Sequence, residues 1–151
     1  MTITEKRCDL FSVGAEYYLA HCISADFALG KGIVKKFDEL FDLKRDLMDF
    51  FPNNEKSFEK KVHDYGSYGE CILVERVFNL VTKARYFEKP TYTSLRKSLE
   101  GMKRLCKDFH VKKVAMPRIG CGLEKLEWGK VKQVIKTVFD DMDIEILVCY
   151  L

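Results

Sequence analysis

Apolar segments of two different periods alternate along this chain of 151 residues and predict an α/β fold, a three-layer α/β/α sandwich with a mixed, mostly parallel sheet. Three observations carry that expectation. Short strand-like runs alternate with amphipathic helical stretches, which is how parallel strands are connected. Two successive strands, Glu70 to Arg76 and Phe78 to Lys83, have so little between them that a tight antiparallel hairpin must join them. Two glycine-bearing loops, Gly30-Lys31-Gly32 and Gly120-Cys121-Gly122, each follow a strand and open a helix, the position where α/β sheets place their ligands.

The elements follow in order. A first strand ends at Cys8, and the apolar run Leu19 to Ser24 is a second strand that stops at the polar, glycine-bearing stretch from Ala25 to Gly32. From Gly32 the period changes: Ile33, Phe37, Leu40 and Phe41 fall on one helical face and Lys35, Lys36 and Glu39 on the other. The segment from about 42 to 67 is expected to be irregular or extended, although Leu43, Leu47 and Phe51 could prolong a helix before Pro52. After the hairpin, Thr91 is placed to cap a helix whose stripe is Leu95, Leu99, Met102, Leu105, Cys106 and Phe109. Val111 to Met116 is a short buried strand. Val131, Val134, Ile135, Val138 and Phe139 mark the next helix, and Ile144 to Tyr150 the last strand.

The length suits one domain spanning residues 1–151, able to fold without disulfide or metal staples. Hydrophobic residues at 47% and charged residues at 32% exclude a disordered or low-complexity chain. Net charge is +3 with no basic block, so composition demands neither a nucleic acid nor a membrane, while leaving an anionic ligand open. The first residues lack the apolar core of a secretory signal and no run is long enough to span a bilayer. A cytoplasmic or nuclear monomer without a membrane partner is therefore expected. The six cysteines lie singly in apolar surroundings, without a C-x-x-C or Cys/His cluster, and read as free, mostly buried thiols rather than disulfides or a metal site.

Several residues have the right chemistry at strand ends. A G-x-G at a helix start lets backbone N–H groups approach an anion, and a pair of such loops suits a pyrophosphate, whereas either loop alone can be a simple turn. Asp9, followed by Leu10-Phe11, could accept from an exocyclic amine or be a solvated turn residue. Lys83 closes an otherwise apolar strand; its amine becomes nucleophilic only when neutral, which burial or the neighbouring Arg85 would promote, and the alternative is an ordinary solvated lysine. Glu124, just past the second glycine loop, could serve as its acid, base or ion-pair partner, or be a surface residue. His21, inside an apolar strand, reads as a hydrogen-bonded interior histidine, Trp128 as a packing residue, and Cys121 as a nucleophile only if a base lies near it.

Taken in order, Cys8-Asp9-Leu10-Phe11, Leu19-Ala20-His21-Cys22-Ile23-Ser24, Gly30-Lys31-Gly32-Ile33, Val81-Thr82-Lys83, Lys89-Pro90-Thr91-Tyr92 and the run Met116 to Leu123 resemble a macrodomain, in the branch typified by the terminal ADP-ribose protein glycohydrolase. The resemblance covers the chain from about Asp9 onward except for 42–67, where this chain is longer. It implies ADP-ribose as ligand, held by Asp9 at the adenine amine with Leu10 beside it. Further contacts are implied at His21, Cys22, Ser24, Gly30, Gly32, Ile33, Thr82, Pro117, Arg118, Ile119, Gly120, Cys121, Gly122 and Leu123, with no cofactor and no metal. It also implies that Lys83 attacks the anomeric carbon of the distal ribose and that a neighbouring acid resolves the lysyl adduct.

Two positions depart from the family pattern. The acid normally follows Gly-Leu as Asp, and here Gly122-Leu123 is followed by Glu124. The glycine usual before Asp9 is Cys8. The leading expectation is a hydrolase that removes mono-ADP-ribose from a modified protein or nucleic acid, with Lys83 and Glu124 as catalytic residues. The alternatives are a non-catalytic ADP-ribose reader and an interaction protein that has lost the ligand. A glutamyl ester, O-acetyl-ADP-ribose and a nucleobase are all compatible acceptors.

Overall fold

The computed structural model describes residues 1–30, 32–50, 70–122 and 125–151. Among them six strands form one sheet: β1 (Thr2–Arg7), β2 (Tyr18–Ser24), β3 (Glu70–Val74), β4 (Val77–Lys83), β5 (Lys113–Met116) and β6 (Glu145–Tyr150). The order across the sheet is β1-β6-β5-β2-β4-β3, and every neighbouring pair is parallel except the antiparallel β3–β4 hairpin. The helices are α1 (Gly32–Phe41), α2 (Leu43–Phe50), α3 (Tyr92–Asp108) and α4 (Trp128–Phe139), and Leu10–Ser12 forms a 3-10 turn capped by Asp9.

Strand periodicity makes the layers. In β2, Ala20 and Cys22 face α3 and α4, whereas Leu19 and Ile23 face α1, α2 and the 3-10 turn. Both faces are covered, which is why β2 reads as an unbroken apolar run rather than an alternating one. Phe37, Leu43 and Leu47 on one side and Leu95, Leu99, Met102, Val131 and Ile135 on the other are fully buried. Each such side chain contributes about 1.5–3 kcal/mol of transfer free energy.

Local chemistry sets the boundaries. The Thr91 hydroxyl accepts from Ser94 N at 2.9 Å and the Ser94 hydroxyl from Thr91 N at 3.0 Å, a reciprocal cap that starts α3 where expected. The hairpin turns on Glu75-Arg76, with Glu75 in the left-handed region at φ 52° and Val74 paired with Val77. The hairpin strands thus stop and start slightly inside and outside the expected limits, and the strand before the second glycine loop begins at Lys113 rather than Val111.

Four expectations are corrected. Leu43–Phe50 is helical, so 42–67 is not irregular throughout; 51–67 lies outside the described residues. Nor does this helix prolong α1: Asp42 takes a left-handed φ of 54°, and Asp38, four residues before it, accepts from Lys44 N at 2.8 Å, so a second helix starts there. On α1 only Phe37 is buried, while Ile33 and Leu40 are exposed, because the sheet lies against a single narrow stripe of this helix. Phe109 is also exposed, since it is the C-cap of α3 and the chain turns away there through His110 at φ 55°. All six cysteines are free thiols.

Candidate active site

Because β1, β2, β4, β5 and β6 are parallel, their carboxyl ends share one edge, and Cys8-Asp9, Ala25 to Gly30, Ala84 to Thr91 and Pro117 to Gly122 all emerge there. From that edge β2 leads to α1 on one face of the sheet and β5 leads to α4 on the other. The two chains part, and the ladder between them covers only Tyr18↔Val114 and Leu19↔Ala115, although β2 runs on to Ser24. This is a topological switch point, at the strand ends from which the two glycine-bearing loops leave.

On the other side of β2, pairing with β4 continues to the end. A register shift between Ile23 and Ser24 sets Ser24 opposite Lys83, and Ala25 N donates to Lys83 O at 2.9 Å. Lys83 is half-buried, and Thr82 beside it is buried with its hydroxyl oxygen unpartnered among the described residues. The end of β4 is fixed from α3, whose Ser94 and Ser98 hydroxyls donate to Thr82 O and Val81 O, each at 2.7 Å.

The loops after β2 and β4 are tied by Asp26, which sequence reading did not single out. Its Oδ1 accepts from the Ser24 hydroxyl at 2.5 Å and Ala28 N at 3.2 Å, and its Oδ2 from Tyr86 N at 2.9 Å. The Ser24-x-Asp26 spacing ahead of a glycine loop was the available signal, since short polar side chains build such turns. Tyr86 and Phe87 follow on the same loop as an exposed edge-to-face pair with centroids 5.5 Å apart.

Asp9 is exposed and its Oδ1 accepts from Phe11 N at 3.0 Å, while Leu10 is buried beneath it. His21 and Cys22 lie inside the molecule, with the His21 ring stacked 3.9 Å from that of Phe37, as an interior histidine should be. Gly30 is exposed and Gly32 begins α1 with φ 65°, so the first glycine loop does open a helix; Lys31 lies outside the described residues. Ile33 is exposed beside it.

The second glycine loop is built differently from the expectation. It does not open a helix directly, because α4 begins only at Trp128. Instead Cys121 N donates to Arg118 O at 3.2 Å, and Gly120, at φ 73°, turns the chain so that Leu126 N reaches Gly120 O at 2.7 Å. Leu123 and Glu124 lie outside the described residues. Ile119 is buried and Pro117 and Cys121 are half-buried, the Cys121 thiol donating to Ile119 O at 3.3 Å. Among the described residues, nothing lies within 4 Å of where a Cβ on Gly122 would stand.

Arg118 is held from outside the loop. Its guanidinium lies 4.4 Å from the Tyr150 ring centroid and 3.5 Å from Glu5 Oε1. Glu5 also accepts from Trp128 Nε1 and Lys132 Nζ, both at 2.9 Å. The Lys132 hydrogen bond, aided by Trp128 and Arg118, holds the Glu5 carboxyl below its usual range against the effect of burial. Trp128 therefore does more than pack: it joins the start of α4 to β1.

No group of three His, Cys, Asp or Glu among the described residues could hold a metal ion. An open cavity of about 280 Å³ is lined by Lys6, Cys8, Ser12, Val13, Gly14, Tyr17 and Leu147, none of them in either glycine loop.

No protein-family model matches the chain. Over 150 residues it is 39% identical to ADP-ribose glycohydrolase OARD1 of Homo sapiens, covering 97% of this chain and 90% of that protein. Identity and coverage are the same for ADP-ribose glycohydrolase OARD1 of Bos taurus. The fold matches the macrodomain of Thermus aquaticus DarG with a TM-score of 0.71 at 20% identity, over 99% of both chains. It also matches Thermosipho africanus DarTG in complex with ADP-ribose, with a TM-score of 0.68 at 18% identity, over 98% of this chain and 41% of that one. With its mostly parallel sheet, its split between β2 and β5 and its near full-length likeness to these relatives, the chain belongs to the macrodomain family, in the branch of ADP-ribose glycohydrolase OARD1.

Proposed function

We propose that this protein is an ADP-ribosyl glycohydrolase that removes mono-ADP-ribose from a modified protein or nucleic acid, with Lys83 as its nucleophile. The observation that carries the reading is the placement of Lys83 opposite Ser24, at the end of the sheet where β2 and β5 part, the position at which α/β folds bind their ligands. The names of the relatives, and the ADP-ribose present in the DarTG structure, support the choice of ligand.

In this reading the pyrophosphate lies between the loop from Gly30 to Ile33, at the N-terminus of α1, and the loop from Pro117 to Leu123. Asp9 keeps one carboxylate oxygen on Phe11 N and offers the other to the adenine amine. Ser24, Thr82 and Gly120 to Gly122 surround the distal ribose. The neutral Lys83 amine attacks the anomeric carbon, the bond from that carbon to the acceptor oxygen or nitrogen breaks, and the acceptor leaves with a proton. Water then displaces the lysine from the anomeric carbon, with Glu124 taking the water's proton and passing it to the departing lysine nitrogen as the carbon–nitrogen bond breaks. Free ADP-ribose, free acceptor and the unmodified lysine result.

The substitution of Glu for Asp at position 124 favours one second reading, a module that binds ADP-ribose without turnover. Affinity for ADP-ribose is common to both, so the test is release of free ADP-ribose from a modified peptide or oligonucleotide, in wild type and Lys83→Ala. We expect release by the wild type, its loss in the variant by at least about a thousandfold, and near-equal ADP-ribose affinity, since a group acting on the way to the transition state lowers kcat rather than ground-state binding. Undiminished release by Lys83→Ala overturns the nucleophile, and binding without release in the wild type favours the reader.

A further inference from the structure

Cys8 and Cys149 lie on neighbouring parallel strands, far apart in sequence. Cys149 pairs with Lys6 across β1 and β6, and Cys8, two residues beyond Lys6, returns to the same face of the sheet. The Cys8 thiol points at the Cys149 sulfur, with Sγ atoms 3.1 Å apart. Cys149 is buried, whereas Cys8 is half-buried and lines the cavity of about 280 Å³ with Lys6, Ser12, Val13 and Tyr17, so a small solute reaches Cys8 first.

We infer that Cys8 and Cys149 form a disulfide on exposure to a peroxide and that this bond weakens ligand binding at Asp9, the second half resting on the function proposed above. The Cys8 sulfur attacks one peroxide oxygen, the O–O bond breaks, and the departing hydroxide leaves as water with the thiol proton, giving a sulfenic acid. The Cys149 sulfur then attacks the Cys8 sulfur, the S–O bond breaks, and the second hydroxide leaves as water with the Cys149 proton. Two thiols have lost two electrons and one peroxide has become two waters.

Burial, with the hydrogen bond from Cys8, pushes the Cys149 thiol up to about 12, so it stays reduced until an oxidised sulfur stands next to it. Contact then substitutes for nucleophilicity, because a fixed neighbour acts at a high effective concentration.

The effect on Asp9 follows from which end can move. A disulfide holds its sulfurs at about 2.05 Å, roughly 1 Å closer than the thiols. Cys149 is set within β6, whereas Cys8 lies past the end of β1, where its N donates to Tyr150 O at 2.9 Å and the next carbonyl, of Asp9, is held by Ser12 of the same short turn. Closure therefore draws Cys8 inward together with the adjoining Asp9 and its bond to Phe11 N.

The full-length protein, purified reduced, is treated with hydrogen peroxide, blocked by alkylation, digested without reductant and read by mass spectrometry, with ADP-ribose affinity measured before and after. We expect a Cys8–Cys149 peptide pair lighter by two hydrogens, and ADP-ribose affinity weaker by about tenfold or more, the scale of one charged hydrogen bond, with recovery under dithiothreitol. Cys8→Ser and Cys149→Ala should each prevent the cross-link and the loss of affinity. Cys8 accumulating as sulfinic acid with Cys149 still alkylated overturns the pair. A cross-linked protein with unchanged affinity, or equal loss in Cys8→Ser, overturns its control of binding. A cross-link in a protein that binds no ADP-ribose even when reduced supports the cysteine pair and overturns the proposed function instead.

Discussion

His21 Nε2 lies 2.6 Å from Oδ1 of Asn79, and the surroundings assign the proton. Asn79 Nδ2 donates to Ile72 O at 3.0 Å and Val77 O at 3.2 Å, so its oxygen faces the imidazole and Nε2 is the donor. Nδ1 is buried and unpartnered among the described residues. Burial, opposed in part by the Asn79 hydrogen bond, lowers the His21 pKa from 6.5 to about 4. Between those values the unfolded chain binds a proton that the folded chain does not. Stability from this group is thus complete above pH 6.5 and declines as pH falls toward 4, by up to about 3 kcal/mol. Urea midpoints should fall over this window more steeply for wild type than for His21→Gln, which keeps a donor to Asn79 without the titration. Parallel profiles would count against the assignment.

Gly120 is the position in the second glycine loop where a side chain costs most. At φ 73° an L-residue is strained, and a Cβ would stand 2.9 Å from Leu126 Cδ1. Gly120→Ala should lower stability by about 1–2 kcal/mol from the backbone term alone. Gly120→Val should cost more, because the branch meets Leu126. Gly122→Ala meets no atom within 4 Å among the described residues and should be close to neutral. Denaturant midpoints of the three variants check the ranking, and equal losses at 120 and 122 would contradict it.

The layers were legible because burial writes a period into the sequence: α3 shows its stripe at Leu95, Leu99, Met102 and Cys106, and the short Glu70–Lys83 pair could only be a hairpin. Glycine loops at strand ends announced the edge. What escaped reading depends on pairing between distant residues. Nothing local says that Glu5 on β1 would meet Trp128, Lys132 and Arg118, or that β2 and β5 would stay together for only two residue pairs. The Gly120-Cys121-Gly122 loop resembled a helix start by composition, yet Leu126 returning to Gly120 O gives it another shape.

Position 124 separates hydrolase from reader under the proposed mechanism. Glu carries one methylene more than Asp, so an unchanged backbone displaces its carboxylate by up to roughly 1.5 Å, one carbon–carbon bond. Misplacement of about 1 Å can lower a rate on the order of a hundredfold. We expect slow release, with resolution of the Lys83 adduct impaired more than its formation, and faster turnover in Glu124→Asp. Single-turnover release of ADP-ribose from a modified peptide measures both. A slower Asp variant would mean that the site is built around the longer acid.

Asp26 should govern the order of two loops with little effect on the sheet. Its carboxylate receives three donors, from Ser24, Ala28 and Tyr86, and only the Ser24 hydroxyl can rotate to become an acceptor. In Asp26→Asn one oxygen is replaced by an NH2 group, so either the Ala28 or the Tyr86 N–H faces a donor and loses its partner. The lost bond is charge-assisted, and at this half-buried site its removal should cost about 1 kcal/mol of local stability. Core amides of β2 and β4 are secured by the sheet ladder and should keep their protection, while the amide of Ala28 or Tyr86 exchanges at least about fivefold faster. Because the loops flank Ser24 and Lys83, ADP-ribose affinity should fall in step with that exchange. Unchanged exchange at both amides, measured by residue-resolved hydrogen exchange, would show that Asp26 does not tie the loops together in solution.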